Sequence, residues 1–446
     1  MTWPAILAIS IFVVSYLLLA FEIVHKATAT MAGAVLMIIL GIVSQHTAFR
    51  GDEALNIQGI DWNTILLLIG MMVIVAITRQ TGGFEWLAIK AAKSVRGHPT
   101  KVIMLLCVVT ALLSAFLDNV TTVIVLAPVA ILIFERLEAD PVPALISIIL
   151  ASNFGGTATL IGDPPNIIIG SAARIPFIDF LFVDGVAAVI AMGVLLAAIA
   201  LVLHPRIHVP QELQERVMEF DEDEAITDPR LLRKCIIVFS VTMLGFVTHG
   251  FLGFEVATIA LTGAVILLLW HDEGPEEALA NVEWTTIFFF IGLFIMVAGL
   301  AQTGVVQMLG EGLLSVTEGS TSVLTMVVLW LSGVSVSVIN NTAYAAMMTP
   351  LIQSIAETLH ANPDAASWEA VYQSKDILPL WWALSLGSCL GGVTTLVGSA
   401  ANVVVAGIAE SSGHPISFGR YLKYGIPMAF ITLLVATGWL WLIFLR

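Results

Sequence analysis

Long uncharged apolar runs alternate with short polar interruptions along this chain, as at residues 5–21, 185–203 and 425–445. Each is near the length that crosses about 30 Å of hydrocarbon at about 1.5 Å per helical residue. In the first half the pattern predicts helices near 5–21, 27–45, 63–78, 143–173 and 185–203. The fourth is broken in its middle by GGTATLIGDPPN, residues 155–166. Residues 101–135 read as two apolar arms around DNVTT at 118–122. At roughly 15 residues each, the arms are short for crossing and predict a re-entrant hairpin. Residues 84–95 carry Glu85, Lys90 and Lys93, too polar a set to span, and predict an interfacial helix.

The pattern then repeats. WNTILLLIGMMVIVAITRQTG (62–82) aligns without gaps to WTTIFFFIGLFIMVAGLAQTG (284–304). In the same register, FLDNVTTVIVLAPV (116–129) falls on VINNTAYAAMMTPL (338–351). After an insertion near 360–375, GGTATLIGDPPN falls on GGVTTLVGSAAN (391–402). The chain therefore divides into an N-terminal repeat (1–203) with a hairpin at 101–135 and a broken helix at 143–173, a polar linker (204–234), and a C-terminal repeat (235–446) with a hairpin at 322–357 and a broken helix at 378–409. Five crossings per half is an odd number, so the second copy must be inverted. The expected fold is an all-α polytopic membrane protein with an inverted-topology repeat: about ten transmembrane helices, two of them broken, plus two re-entrant hairpins.

Composition agrees: 58% of the 446 residues are hydrophobic and 11% charged, too few charges for a soluble surface. Part of the net charge of −15 sits in FDEDEAITD (220–228), which reads as a solvated acidic linker. With the N-terminus outside and the linker cytoplasmic, all of the 18 basic residues except Arg50, Arg174, Lys375 and Arg446 fall on the cytoplasmic side. No basic residue precedes the first apolar run, so it reads as a retained helix rather than a signal peptide. His25, His204, His208, His249 and His271 lie near predicted helix ends and read as interfacial. Cys107, Cys235 and Cys389 form no disulfide framework and no metal motif, and no metal or cofactor is expected. HExxH, GxSxG and P-loop motifs are absent, which argues against a membrane-embedded hydrolase and against an intrinsic ATPase.

Broken helix survives in a bilayer only where it lines a protein cavity. Matching breaks in inverted halves point to a midplane binding site. Glycines admit a solute close to backbone, and Pro164–Pro165 stop the helix re-forming. The candidate elements are the hairpin tips 118–122 and 340–342 and the breaks 155–166 and 391–402, whose Thr and Asn hydroxyls and amides can replace a hydration shell. Asp118 and Asp163 have the uncharged counterparts Asn340 and Ser399. A carboxylate at that depth marks a proton or ion path, although Asp163 could instead cap the second half-helix. No Lys or Arg lies within either break, which favours a neutral or cationic solute. Cys389, two residues before the second break, offers one thiol near the pathway.

LDNVTTVIVLAP together with NFGGTATLIGDPPN resembles the ArsB/NhaD permeases of the ion transporter superfamily, with the GDPPN motif shared by the P protein branch. The resemblance covers nearly the whole chain. It implies a scaffold and a transport part, and by position it carries over as candidate substrate-binding residues Asn119, Thr121, Gly155, Gly156, Thr157 and Asn166, with Asn341, Thr342, Gly391, Gly392, Thr394 and Asn402 in the second half, and Asp163 beside them. The reading that follows is proton-coupled efflux of arsenite or antimonite across a bacterial inner membrane, with H⁺ or Na⁺ as the coupling ion. Na⁺/H⁺ antiport is the alternative, and anion symport ranks below both. A homodimer and a separate ATPase subunit are compatible with this reading, and nucleic acid is not an expected partner.

Overall fold

The computed structural model describes residues 2–20, 23–52, 55, 57–203, 207–271, 274–360 and 368–446. His204 and Arg206, placed in the linker by sequence, lie outside the described residues, as do 361–367 of the insertion. The first half comprises α1 (Trp3–Ala20), α2 (Lys26–Ile39), α3 (Gln45–Arg50), α4 (Trp62–Gln80), α5 (Gly83–Ser94), α6 (Pro99–Ser114), α7 (Asn119–Arg136), α8 (Val142–Thr157), α9 (Pro164–Ala173) and α10 (Phe177–Ala198). A short linker helix, α11 (Gln211–Arg216), precedes the second half. That half comprises α12 (Pro229–Leu252), α13 (Val256–Trp270), α14 (Pro275–Ala280), α15 (Trp284–Gln302), α16 (Val305–Val316), α17 (Thr321–Ser335), α18 (Asn341–Leu359), α19 (Trp368–Tyr372), α20 (Leu378–Gly391), α21 (Ala400–Ser411) and α22 (Phe418–Leu440). Among the described residues there is no β-strand, only an isolated bridge between Asp52 and Ile57. The protein is an all-helical inverted-repeat membrane protein.

The repeat is visible in chemistry as well as order. Gly82 and Gly304 both take left-handed φ, +71° and +74°, and turn α4 into α5 and α15 into α16. A side chain there would be strained, so the twice-repeated Gln-Thr-Gly fixes the same corner in both halves. Packing is reciprocal too: α2 lies along α15 and α13 along α4, each an element of one half against its partner's counterpart. The hairpins do the same at the centre, with α7 against α21 and α18 against α9.

Burial separates lipid-facing helices from central ones. Phe251 on α12 is 95% exposed and Leu201 beyond α10 is 78% exposed, as suits hydrocarbon contact. By contrast, α8 buries every residue from Ala144 to Thr157, and α20 every residue from Pro379 to Gly391. The first break is shielded by protein, and the second, where Val397 is exposed, borders a cavity, the settings in which irregular backbone is tolerated at membrane depth.

Two details depart from the sequence reading. The second hairpin arm, α7, has 18 residues and is long and apolar enough to cross, and α16 and α17 meet at 116°. The linker is also docked rather than free. Lys93 donates to the Phe220 carbonyl at 2.7 Å and pairs with Glu222, while Trp86 Nε1 donates to Asp223 at 3.3 Å. The Lys93 hydrogen bond holds the Glu222 carboxyl below the usual carboxylate range.

Candidate functional site

Each hairpin tip starts a helix, and its first side chain is a cap. Asp118 Oδ1 accepts from the Val120 and Thr121 amides at 2.8 and 3.1 Å, and its other oxygen takes the Thr121 hydroxyl. In the second half Asn340 Oδ1 accepts from the Thr342 amide at 3.1 Å. The acid at 118 and the amide at 340 thus satisfy the orphan amides of a buried helix start in the same way.

Asp163 behaves differently. It occupies the cap position of α9 but makes no capping bond through its side chain. Asn341 Nδ2 instead donates to its two oxygens at 3.3 and 3.1 Å. The cap role held open for Asp163 is therefore not taken up, and Asp118 caps a different helix, α7. The break of one half is tied to the hairpin tip of the other, through a carboxylate only 2% exposed.

Asn119, the counterpart of Asn341, accepts from the Ser114 hydroxyl at 2.5 Å, and its buried Nδ2 faces the Asp163 carboxylate. It sits over Gly156, where a Cβ would come 2.1 Å from Asn119 Oδ1. Gly156 is the floor that lets Asn119 lie where it does.

A cavity of about 550 Å³ opens on this junction. Asp118, Asn119, Asp163, Asn340, Asn341 and Thr342 line it, with Ser399 of the second break. Both hairpin tips meet on this one cavity. Leu68, Met72, Phe289, Phe290, Val403 and Val404 supply apolar wall.

The other sequence candidates are not on that wall, for identifiable reasons. Asn166 Nδ2 donates to the carbonyls of Thr159 and Thr157 at 2.9 and 3.2 Å, and Asn402 Nδ2 to those of Thr395 and Gly392 at 2.8 and 2.9 Å. These amides staple the freed carbonyls of the breaks, which would otherwise be unpaired in a dry interior. The hydroxyls of Thr157 and Thr394 turn back onto the Asn153 and Gly391 carbonyls at 2.8 and 2.7 Å, and the Thr121 hydroxyl is held by Asp118. Gly155 and Gly391 are backbone-contact positions. A Cβ at Gly155 would stand 2.3 Å from the Ala111 oxygen, and one at Gly391 would stand 2.6 Å from Gly333 Cα. At Gly392 a Cβ would meet only the carbonyls of its own segment, 3.2 Å from that of Cys389. Cys389 is buried and its thiol donates to Asn166 Oδ1 at 3.2 Å. Cys107 and Cys235 lie on other helices, α6 and α12, so no set of thiolates converges on the break. No cluster of three potential metal ligands occurs among the described residues.

Sequence reasoning missed Lys26, Glu283 and Thr286, which also line the cavity. Lys26 Nζ donates to Thr286 Oγ1 at 3.2 Å, and that hydroxyl donates to Glu283 Oε2 at 3.0 Å. The available signal was the acid just before each repeated Trp. Asp61 caps α4 at the position that Glu283 holds before α15, with Asp61 Oδ1 accepting from the Asn63 amide at 3.0 Å. The reading of the histidines also changes. His25 lines the cavity, and His271 is 7% exposed with its ring 2.9 Å from Gln80 Oε1. The lining thus carries three carboxylates, Asp118, Asp163 and Glu283, against one lysine.

The profile described as CitMHS, citrate transporter, matches residues 16–387. The chain belongs to the CitMHS family. An uncharacterized transporter of Mycobacterium tuberculosis is 39% identical to this CitMHS chain over 438 residues, covering 98% of each. The human P protein is 30% identical over 506 residues, covering 95% of this chain and 58% of the P protein. In structure, the YdaH transporter of Alcanivorax borkumensis aligns with a TM-score of 0.59 at 13% identity, over 94% of this chain and 98% of its own. Neisseria gonorrhoeae MtrF aligns with a TM-score of 0.60 at 11% identity, over 92% and 84%. At those identities the likeness is one of fold. These matches place the chain among secondary membrane transporters of the ion transporter superfamily, with the P protein among its relatives, and they do not single out the ArsB/NhaD branch. The CitMHS chain works in a lipid bilayer on a small solute, and it is not an enzyme.

Proposed function

We propose that this transporter couples proton movement at Asp163 to the passage of a small neutral or cationic solute, with arsenite or antimonite efflux as the leading substrate reading. The observation that carries it is the Asp163–Asn341 pair, a carboxylate of one half held by the hairpin tip of the other on the cavity wall. Protonation changes what that carboxyl can accept, so it biases the contact between inverted halves. A second cavity of about 280 Å³ supports the reading. Along α18 the lining passes from Thr342 in the larger cavity to Ala346 in the smaller, and along α9 from Pro164 to Ile168. The partition is therefore about one helical turn, roughly 6 Å, thick. A thin partition between two cavities suits alternating access by a small rearrangement.

Uncharged As(OH)₃ needs hydrogen-bonding groups more than a counter-charge. Asn119, Asn341 and Thr342 provide amide and hydroxyl groups on the lining. The excess of carboxylates over Lys26 favours Na⁺/H⁺ antiport as the second reading. Liposomes with an imposed pH gradient separate the readings when loaded in turn with arsenite, antimonite, Na⁺ and citrate. Uphill arsenite movement supports the first and Na⁺ movement alone the second. Citrate movement alone discards both.

Asn119→Ala removes an amide donor of the lining. Loss of one hydrogen bond of about 0.5–1.5 kcal/mol should raise the apparent KM for solute about 2- to 10-fold, with expression unchanged. An unaltered KM in reconstituted flux assays removes Asn119 from the binding site.

The same reading places the N-terminus outside and the linker in the cytoplasm. Single cysteines replacing Glu224 in the linker and the exposed Phe254 between α12 and α13 should then label with an impermeant thiol reagent from opposite faces, Glu224→Cys from the cytoplasm. Reversed labelling inverts the assignment. The native cysteines are buried, which keeps the background low.

A further inference from the structure

Asp184 sits on α10, 0% exposed, about two turns inside a helix whose only other charged residue is Asp179 in its first turn, and the transport site does not use it. Its Oδ2 is in short contact with Ser385 Oγ of α20, and its Oδ1 has no partner. Ser385 Oγ is also 2.7 Å from Asn166 Oδ1, the staple of the first break. The next residue, Gly185, packs on the break itself, with its Cβ position 3.2 Å from the Ala158 oxygen.

Counting protons along this chain fixes its direction. The Asn166 Nδ2 faces only carbonyls, which accept, so its Oδ1 is the acceptor facing Ser385. A serine hydroxyl has one proton. For Ser385 to donate to Asn166 at 2.7 Å, its bond with Asp184 must be donated by the carboxyl. An ionised Asp184 would draw the serine proton to itself and leave two lone pairs facing each other at the Ser385–Asn166 contact. It would also leave Oδ1 charged, buried and unsatisfied, at high cost. The titratable group facing Asp184 is the Cys389 thiol on α20. Among the other helices packed on α10, α8 carries no titratable residue. The titratable residues on the remaining helices packed on α10 are Lys101 and Cys107 of α6, Arg230, Arg233, Lys234, Cys235 and His249 of α12, and Arg420, Tyr421, Lys423 and Tyr424 of α22.

We propose that Asp184 is a second proton-binding residue of the transport cycle, whose proton directs the Ser385–Asn166 hydrogen bond and so holds the first break in the arrangement seen here. It is a positioning residue, acting on the solute path through Asn166. The proton is taken up when the break adopts this form and released when Asn166 moves. This holds whether or not Asp163 is the coupling residue, so the two can be tested apart.

The test is infrared difference spectroscopy of the full-length protein in liposomes during a pH titration, in an Asp163→Asn background. One buried carboxylic acid band should remain, should vanish as pH rises, and should be missing at all pH values after Asp184→Asn. Ser385→Ala should move its midpoint to higher pH, because the ionised form loses the stronger, charge-assisted bond. With Asp163 intact, Asp184→Asn should also flatten one limb of the transport pH profile. A band that persists across the whole range makes Asp184 a fixed structural acid and overturns the proposal. So does the absence of any band removed by Asp184→Asn, or an unchanged transport pH profile. Should Asp184→Asn fail to fold, identical titrations of the parent and Ser385→Ala proteins overturn it equally.

Discussion

Asp163→Asn is expected to let arsenite run down its own gradient while abolishing accumulation driven by a pH gradient. The asparagine has the size of the native side chain, and its oxygen can still accept from Asn341 Nδ2, which in the native protein donates to both carboxylate oxygens. What it cannot do is gain or lose a proton. A ligand shifts a two-state equilibrium only by its differential affinity for the two states. With that differential removed, the pH gradient has no purchase on the contact between α9 and α18. The accumulation ratio in inverted vesicles should fall to about 1, while counterflow exchange persists, because the other amide and hydroxyl groups of the lining are untouched. Undiminished accumulation by Asp163→Asn would move the proton path elsewhere. Asp118 is the next residue to test, although its carboxylate is engaged with the amides that start α7.

Much of the architecture was legible because residues with unusual backbone roles carry it. Gly82 and Gly304 turn the chain in the left-handed region, and Pro164–Pro165 end a helix wherever they stand, so their repetition reads directly as geometry. Side-chain destinations are a different matter. Asn119 and Asn166 look alike on paper, yet one lines a cavity and the other turns inward onto the Thr157 and Thr159 carbonyls. Only the packing of α7 on α21 and α18 on α9 decides which way each faces. Lys26 escaped notice because it lies in no motif. It opens α2, and it reaches the cavity because α2 lies along α15. Asp184 was hidden by its setting, a lone acid at the border of the apolar run 185–203. The same run reads as lipid-facing by composition, although Gly185, Ala187 and Ala188 turn toward protein, as Asp184 does just before it.

The adjacent glycines of the first break should fail in different ways when each gains one methyl group. At Gly155 the new Cβ would lie 2.3 Å from the Ala111 oxygen and 2.6 Å from Ala111 Cα. Those are backbone atoms of α6, and they cannot rotate aside, so α6 and α8 must move apart along a fully buried contact. Overpacking of this kind costs about 1–3 kcal/mol, and small residues are what let membrane helices approach so closely. Gly155→Ala should therefore lower the thermal midpoint in detergent and the yield of monodisperse protein. Gly391→Ala should do likewise, since its Cβ would meet the Gly333 backbone at 2.6 Å. Gly193→Ala and Gly407→Ala, with nothing within 4 Å, serve as controls that should melt like the wild type. At Gly156 the obstacle is the Asn119 side chain, which can swing away. Gly156→Ala should thus fold nearly normally and reproduce the raised KM of Asn119→Ala, because it displaces the same amide. If Gly155→Ala instead keeps its melting temperature and loses only solute affinity, then Gly155 meets the solute directly and the close helix contact is not what the position is for.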